Sequence, residues 1–309
     1  TAKNSYVYNT IDEAIDILTN TEDYEFNLVA MPGLTHEGLN ERLIDVVEER
    51  GDALAVIDLP GVYTPSTENN ETDATARYGD VRSTTLALMD RKINSSYGCT
   101  YYPWVQIQDT SAGVNLFVPP SVAALGVMGS SEAVSEPWFA PAGFNRGGLS
   151  DGAAGLPVIG VTEKLTSKQR DQLYEANINP IASFPAEGIV VFGQKTLQIQ
   201  QSALDRINVR RLLIFIKKAV SRFAAQVLFD QNVQVTWNRF LSMVEPFLKS
   251  VQGRLGLSDF RVVLDNTTTT PELVDRNMMY AKIYLKPARA IEFIVVDFVI
   301  TNSGASFDD

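Results

Sequence analysis

Two short apolar stretches, each cut off by Pro-Gly, constrain this chain more than any other feature. Residues 26–31 (FNLVAM) stop at Pro32-Gly33, and residues 53–59 (ALAVIDL) stop at Pro60-Gly61. Between them, over residues 36–50, Leu39, Leu43, Val46 and Val47 fall at helical spacing. Thr35 stands where a cap belongs and Gly51 where the helix should end. A strand that is apolar on both faces must lie inside a sheet covered by helices. Strand, helix, strand in that order predicts a parallel or mixed α/β sheet.

The rest of the first half keeps that alternation. Residues 10–18 place Ile11, Ala14, Ile15 and Leu18 on one helical face, with Thr10 and Glu13 spaced as a capping box. A polar loop over 64–72 precedes a helical stretch over 73–93 that should break near Gly79. Residues 98–108 read as a strand in which Pro103 argues for a bulge or an edge. A strand over 114–118, Pro119-Pro120 and a small-residue helix over 121–128 follow. Residues 129–165 are rich in small residues, but Trp138, Phe139 and Phe144 predict a loop packed on the body. Thr166 and Gln169 can box the start of a helix over 166–177, which Asn179-Pro180 should break.

After about residue 180 the texture changes. Residues 188–192 are a strand. Residues 207–229 form one long amphipathic helix with Val209, Leu212, Leu213, Ile216, Val220, Phe223 and Val227 inward. Asn232 can cap a second helix reaching residue 252, which Pro246 should kink. Strands follow over 260–264, 278–285 and 290–301. The expected organisation is therefore a core domain over 1–180 and a second domain over 181–309, with two long helices on a small sheet ending in an arm. The fold class is α/β with α+β character, each domain a mixed sheet flanked by helices.

Composition removes several functions. The chain has 309 residues, enough for about two domains. A net charge of −11 disfavours non-specific nucleic-acid binding. One cysteine (Cys99) and one histidine (His36) supply neither a disulfide nor an ordinary zinc site. No apolar run is long enough to span a bilayer; the most apolar, 291–300, contains Glu292 and Asp297. The start at Thr1 reads as a processed or partial chain.

Three stretches are candidate sites. Asp58 follows an apolar strand, as a magnesium-binding Asp does in nucleotide hydrolases, but no G-x-x-x-x-G-K-[ST] loop accompanies it. An α/β nucleotide-binding enzyme is therefore the competing reading, without a phosphate loop to support it; catalytic, cofactor and metal residues are expected to be none. The helix over 207–229 carries Arg210, Arg211, Lys217, Lys218 and Arg222 with no acid among them. That face is either solvated or an electrostatic contact for an acidic protein surface. Last, residues 291–309 run from an apolar strand into a polar tail. The strand is either internal or an edge added to a neighbouring subunit, with Ile291, Phe293, Val295, Asp297 and Val299 in it.

Several phrases occur together and in order. They are Tyr101-Tyr-Pro-Trp104, Val118-Pro-Pro-Ser121, Trp138-Phe-Ala-Pro-Ala-Gly143 and Leu173-Tyr-Glu-Ala-Asn-Ile-Asn179. Next come Gly188-Ile-Val-Val-Phe-Gly193, Lys195-Thr196, Ile207-Asn-Val-Arg-Arg-Leu212, Phe229-Asp-Gln-Asn232 and Trp237. Asp265-Asn266, Lys286-Pro287 and Phe293-Ile294 complete the set. Across residues 26–301 the chain resembles the tail sheath proteins of contractile bacteriophage tails, most closely that of a giant myophage. The resemblance implies a structural, non-enzymatic virion subunit without cofactors, assembled in the bacterial host cytoplasm. It implies rings of copies around a tail tube protein, bounded by baseplate and tail terminator proteins, that contract to drive the tube through an envelope. It implies no nucleic-acid or membrane partner, and that part of a longer parent is missing here. On this resemblance the basic helix face is a tube or inter-subunit contact, strand exchange through 291–304 is favoured, and a hinge at Asn302 and Gly304 absorbs the rotation of contraction. A non-polymerising virion adaptor is the third reading.

Overall fold

The computed structural model describes residues 5–65, 73–150, 154–155 and 157–294. α1 (Tyr6–Ile17) leads into β1 (Leu28–Ala30), α2 (Glu37–Arg50) and β2 (Leu54–Ile57). A 3-10 turn at Ala74–Arg77 and α3 (Val81–Arg91) precede β3 (Gly98–Tyr102), β4 (Val105–Asp109), β5 (Val114–Val118) and α4 (Pro120–Val134). Then come β6 (Val158–Val161), α5 (Ser167–Glu175), β7 (Asn179–Phe184) and β8 (Gly188–Val191). α6 (Ile207–Ala225), α7 (Gln234–Gly253), β9 (Leu257–Val263), α8 (Pro271–Asp275) and β10 (Lys282–Pro287) follow.

The central sheet has the order β1-β2-β3-β7-β8. β1, β2, β3 and β7 are parallel, and β8 returns antiparallel on β7. Successive residues of β2 point to opposite faces, and both faces are covered. Ala55 and Ile57 pack with Leu43 and Val47 of α2. Leu54 and Val56 pack with Cys99 and with Ala123, Val127 and Met128 of α4. This is the mixed α/β sheet that the paired Pro-Gly stops predict. A three-stranded antiparallel sheet, β5-β4-β6, adjoins it, and β9 and β10 form a separate antiparallel pair. The β9-β10 pair shares a third core with α6 and α7, built on Leu212, Ile216, Trp237, Phe240, Val244 and Leu248.

Local stops act largely as the residues dictate. Gly51 ends α2 in the left-handed region at φ 65°. The expected break at Gly79 falls between the 3-10 turn and α3, and a Cβ there would lie 1.8 Å from the Gly61 carbonyl oxygen. Thr166 and Gln169 form their capping box reciprocally.

Prolines and caps bring the corrections. The single strand expected over 98–108 is two strands in different sheets, parted at Pro103, which has no N–H for a ladder. Asn179-Pro180 does not merely end a helix: Pro180 is the second residue of β7 and sits opposite Tyr102. The central sheet therefore continues beyond residue 180, and a boundary there would cut β7. α1 begins at Tyr6 after Ser5, so Thr10 lies inside it and donates to the Tyr6 carbonyl at 2.9 Å instead of capping. His36, not Thr35, holds the N-cap position of α2, without a side-chain capping bond. Val233 precedes α7; Asn232 instead donates to the Met278 carbonyl and accepts from the Trp237 indole. Of the strand expected over 290–301, residues 290–294 are in no strand, and the remainder lies outside the described residues.

Candidate assembly surface

α6 joins two cores. Ile207 and Ile214 enter the core of the central sheet, while Leu212 and Ile216 enter that of α7 and β9-β10. A helix buried on two sides has little room for a solvated basic face, and its cations are distributed accordingly. Arg210 and Arg211 are only 7% and 4% exposed. Arg210 lies 3.9 Å from the Tyr97 ring centroid and donates to Ser96 Oγ. Arg211 donates to Glu132 Oε2 at 2.6 Å and to the Met128 carbonyl at 3.5 Å. Burial pulls both guanidinium groups below their ordinary pKa, with Tyr97 and Glu132 acting against it respectively.

Farther along α6 the remaining cations reach the end of α2 and the segment before β1. Lys217 Nζ donates to the Arg50 carbonyl at 3.1 Å, and Lys218 Nζ to the Phe26 carbonyl at 2.6 Å. Burial lowers the Lys218 pKa. Arg222 pairs with Glu25 at the surface. The five cations are thus not one outward stripe: two are spent inside the chain, one is half-buried, and Lys217 and Arg222 are exposed.

The C-terminal stretch is held by a residue that sequence reading counted only as a charge interrupting an apolar run. Glu292 Oε2 accepts from Tyr174 Oη at 2.8 Å, and Oε1 accepts from Arg206 Nε at 2.7 Å and Gln194 Nε2 at 3.1 Å. Tyr174 comes from α5, Gln194 from the turn after β8 and Arg206 from the residue before α6. Burial, then the neighbouring carboxylate, raises the Tyr174 pKa. Ile291 and Phe293 on either side point outward, 83% and 79% exposed. The alternation of apolar and acidic at 291–293 was the available signal; nothing in the sequence places Tyr174 or Gln194 beside it. Val295, Asp297, Val299, Asn302 and Gly304 lie outside the described residues.

Residues 290–293 also form a shared wall between two clefts. One, of about 290 Å³, is lined by Arg170, Tyr174, Phe192 and Gln194. The other, of about 700 Å³, is lined by Ser202, Asp205, Asn208 and Arg289. The last backbone hydrogen bond into this stretch is Ala288 N–H to the Gly256 carbonyl, 3.1 Å; among the described residues, 289–294 make none.

Two further surfaces stand open. β9 and β10 each have one strand neighbour among the described residues, so each leaves an edge. From the end of α6 to the first turn of α7, Leu228, Phe229, Val233 and Val235 are exposed apolar residues, with Phe229 95% exposed at φ 69°. Asn232 and an Arg239–Asp230 pair of 2.8 Å brace this segment.

Asp58 is buried and faces its own chain. It accepts from the N–H of Gly33 at 2.9 Å, the N–H of Ser121 at 3.1 Å and Ser121 Oγ at 2.7 Å. Burial raises its pKa and these bonds oppose the rise. It ties the Gly33 turn and the start of α4 together at the end of β2. His36 packs edge-on to Tyr8. Among the described residues no group of three His, Cys, Asp or Glu could hold a metal ion, and no helix is long and apolar enough to cross a membrane.

Comparison with known proteins fits this geometry. A model of the phage tail sheath protein central domain matches residues 9–197, and a model of the phage tail sheath C-terminal domain matches residues 200–301. The tail sheath protein of Vibrio phage KVP40 is 39% identical over 225 residues, 73% of this chain and 31% of that protein. The tail sheath protein of Enterobacteria phage T4 is 37% identical over 196 residues, 63% of this chain and 29% of that protein. This chain thus spans about a third of the length of these relatives. In structure it is similar to the sheath complex of an extracellular contractile injection system in its contracted state. The TM-score is 0.70 at 24% identity, over 89% of this chain and 71% of that one, a likeness of fold.

Proposed function

This chain belongs to the phage tail sheath family, and on that premise we propose that it is part of a structural subunit that polymerises around a tail tube and contracts to drive it through a host envelope. The observation that carries this reading is the C-terminal stretch. Among the described residues, 289–294 make no backbone hydrogen bond, Ile291, Phe293 and Ile294 face outward, and β9 and β10 each leave an edge. A two-stranded sheet gains stability from added strands. Main-chain bonds from a neighbour's segment tether it without fixing the contact between bodies, which suits subunits that slide and rotate.

Partners on this reading are other copies of the chain, the tail tube, and baseplate and terminator proteins at the ends. The role is structural rather than enzymatic, in a virion part assembled in the host cytoplasm. Of the basic row on α6, Lys217 and Arg222 are accessible for the tube or a neighbour; Arg210 and Arg211 support them by fixing the helix. The division into two parts belongs near residue 200, after the central sheet is complete. Neither the nucleotide-binding reading nor the adaptor reading has support in the site geometry.

The test is electron microscopy of the chain with and without purified tail tubes, before and after deletion of residues 289–309. Ordered rings or tubes that vanish with the deletion are expected. A chain that never assembles and never binds tubes overturns the reading.

A further inference from the structure

We propose that Glu292 is the anchor of the C-terminal stretch: among the described residues, 289–294 are fastened to the body through this one carboxylate. The three groups that hold it come from segments up to 118 residues away in sequence. Among the described residues, 289–294 make no backbone hydrogen bond that would share the task. The holders are themselves rigid. Ile207 N–H donates to the Gln194 carbonyl at 2.8 Å, so the first turn of α6 and the turn after β8 move as one. Lys195 donates to the Tyr174 carbonyl at 2.7 Å and lies 4.3 Å from its ring centroid, which fixes α5 to the same turn. Arg206 is further oriented by Asp205 at 3.2 Å.

The anchor gives the arm a defined direction. Glu292 turns inward while Ile291, Phe293 and Ile294 beside it stay exposed. A pull on the arm passes through Arg206 into α6, which is embedded in both cores and reaches the β1 region through Lys218. The geometry stands on this chain alone; only its mechanical role rests on the sheath reading.

The test places a nitroxide at Phe293→Cys in the whole chain, with Cys99 left in place because it is fully buried. In the parent the label is expected to be motionally restricted. Glu292→Ala should release it, with a several-fold gain in mobility and an unchanged body melting transition. Tyr174→Phe, which removes one of three bonds without opening a void, should fall between. Equal label mobility in parent and E292A overturns the anchor. If E292A does not fold, Y174F decides alone, and a spectrum identical to the parent's overturns it. A restricted label released by E292A, in a chain that forms no polymer, keeps the anchor and removes the sheath reading.

Discussion

Ser121 donates twice to Asp58, from its hydroxyl at 2.7 Å and its backbone N–H at 3.1 Å, across 63 residues of chain. The carboxylate thereby caps the first turn of α4 from the end of a neighbouring strand and holds the Gly33 turn as well. One side chain thus ties a turn, a strand and a helix at one end of the central sheet.

Asp58→Ala leaves three buried donors without an acceptor. At about 1–3 kcal/mol for each buried group, partly offset by water, the loss should be about 3–5 kcal/mol. Ser121→Ala keeps both backbone bonds and should cost about 1 kcal/mol. Burial sets the Asp58 pKa above its unfolded value near 3.9. The unfolded chain therefore releases the proton first. The parent's advantage over D58A should be largest below that range and shrink as pH rises through the folded value. Urea titrations between pH 3 and 6 measure both effects; identical midpoints for parent and D58A would contradict them.

Cys99 sits within the central sheet and packs against α4. Burial pushes its thiol up to about 12. It should resist alkylation in the native protein at pH 8 and react fully in urea. The sign follows from the raised folded pKa. The contribution to stability is complete below about 8.5 and is lost, at about 1.4 kcal/mol per pH unit, as pH rises towards the folded value. Native alkylation at the unfolded rate would show the site to be open.

The basic row on α6 should divide by burial. Arg211→Ala removes a bond to Glu132 and a carbonyl contact from a buried position. It should destabilise the chain by about 2–3 kcal/mol. Arg222→Glu breaks a surface pair and should change stability by no more than about 1 kcal/mol. Only the second is expected to weaken polymer or tube binding without weakening the fold, and to do so with a salt dependence. Thermal melts beside co-sedimentation with tubes separate the two; equal losses in both variants would deny the division.

Phe229 combines a left-handed backbone with nearly complete exposure. Phe229→Gly relieves the backbone at little packing cost, against a larger unfolded-state entropy. The net change should be within about 1 kcal/mol, on the stabilising side. An exposed apolar tip held in an unfavourable conformation is the mark of a contact surface. The same variant should therefore reduce assembly. A variant that assembles as well as the parent would leave the tip without a role.

The fold was legible where a local signal matched the final environment. Gly51, the Thr166–Gln169 box and the break at Gly79 act through backbone conformation and short-range bonds, which the sequence carries in full. Pro103 and Pro180 were legible as punctuation but not as topology. Whether a proline parts two sheets or opens a strand depends on which strand lies beside it, and that is a long-range fact. The helix caps missed at α1, α2 and α7 failed for a related reason: Ser5 sets an earlier start for α1, and Asn232 has better partners in Met278 and Trp237 than in its own helix.

For the C-terminal stretch, the residues alone determine an extended, apolar chain with an acid at 292, and leave open whether it is an inner strand or an offered edge. The tertiary structure decides that residues 290–294 join no strand of the described chain and that Glu292 turns inward. It does so because Tyr174, Gln194 and Arg206 converge on one point only when α5, the turn after β8 and α6 are packed together. A carboxylate finds its partners in space, and the linear pattern records only that a charge is there.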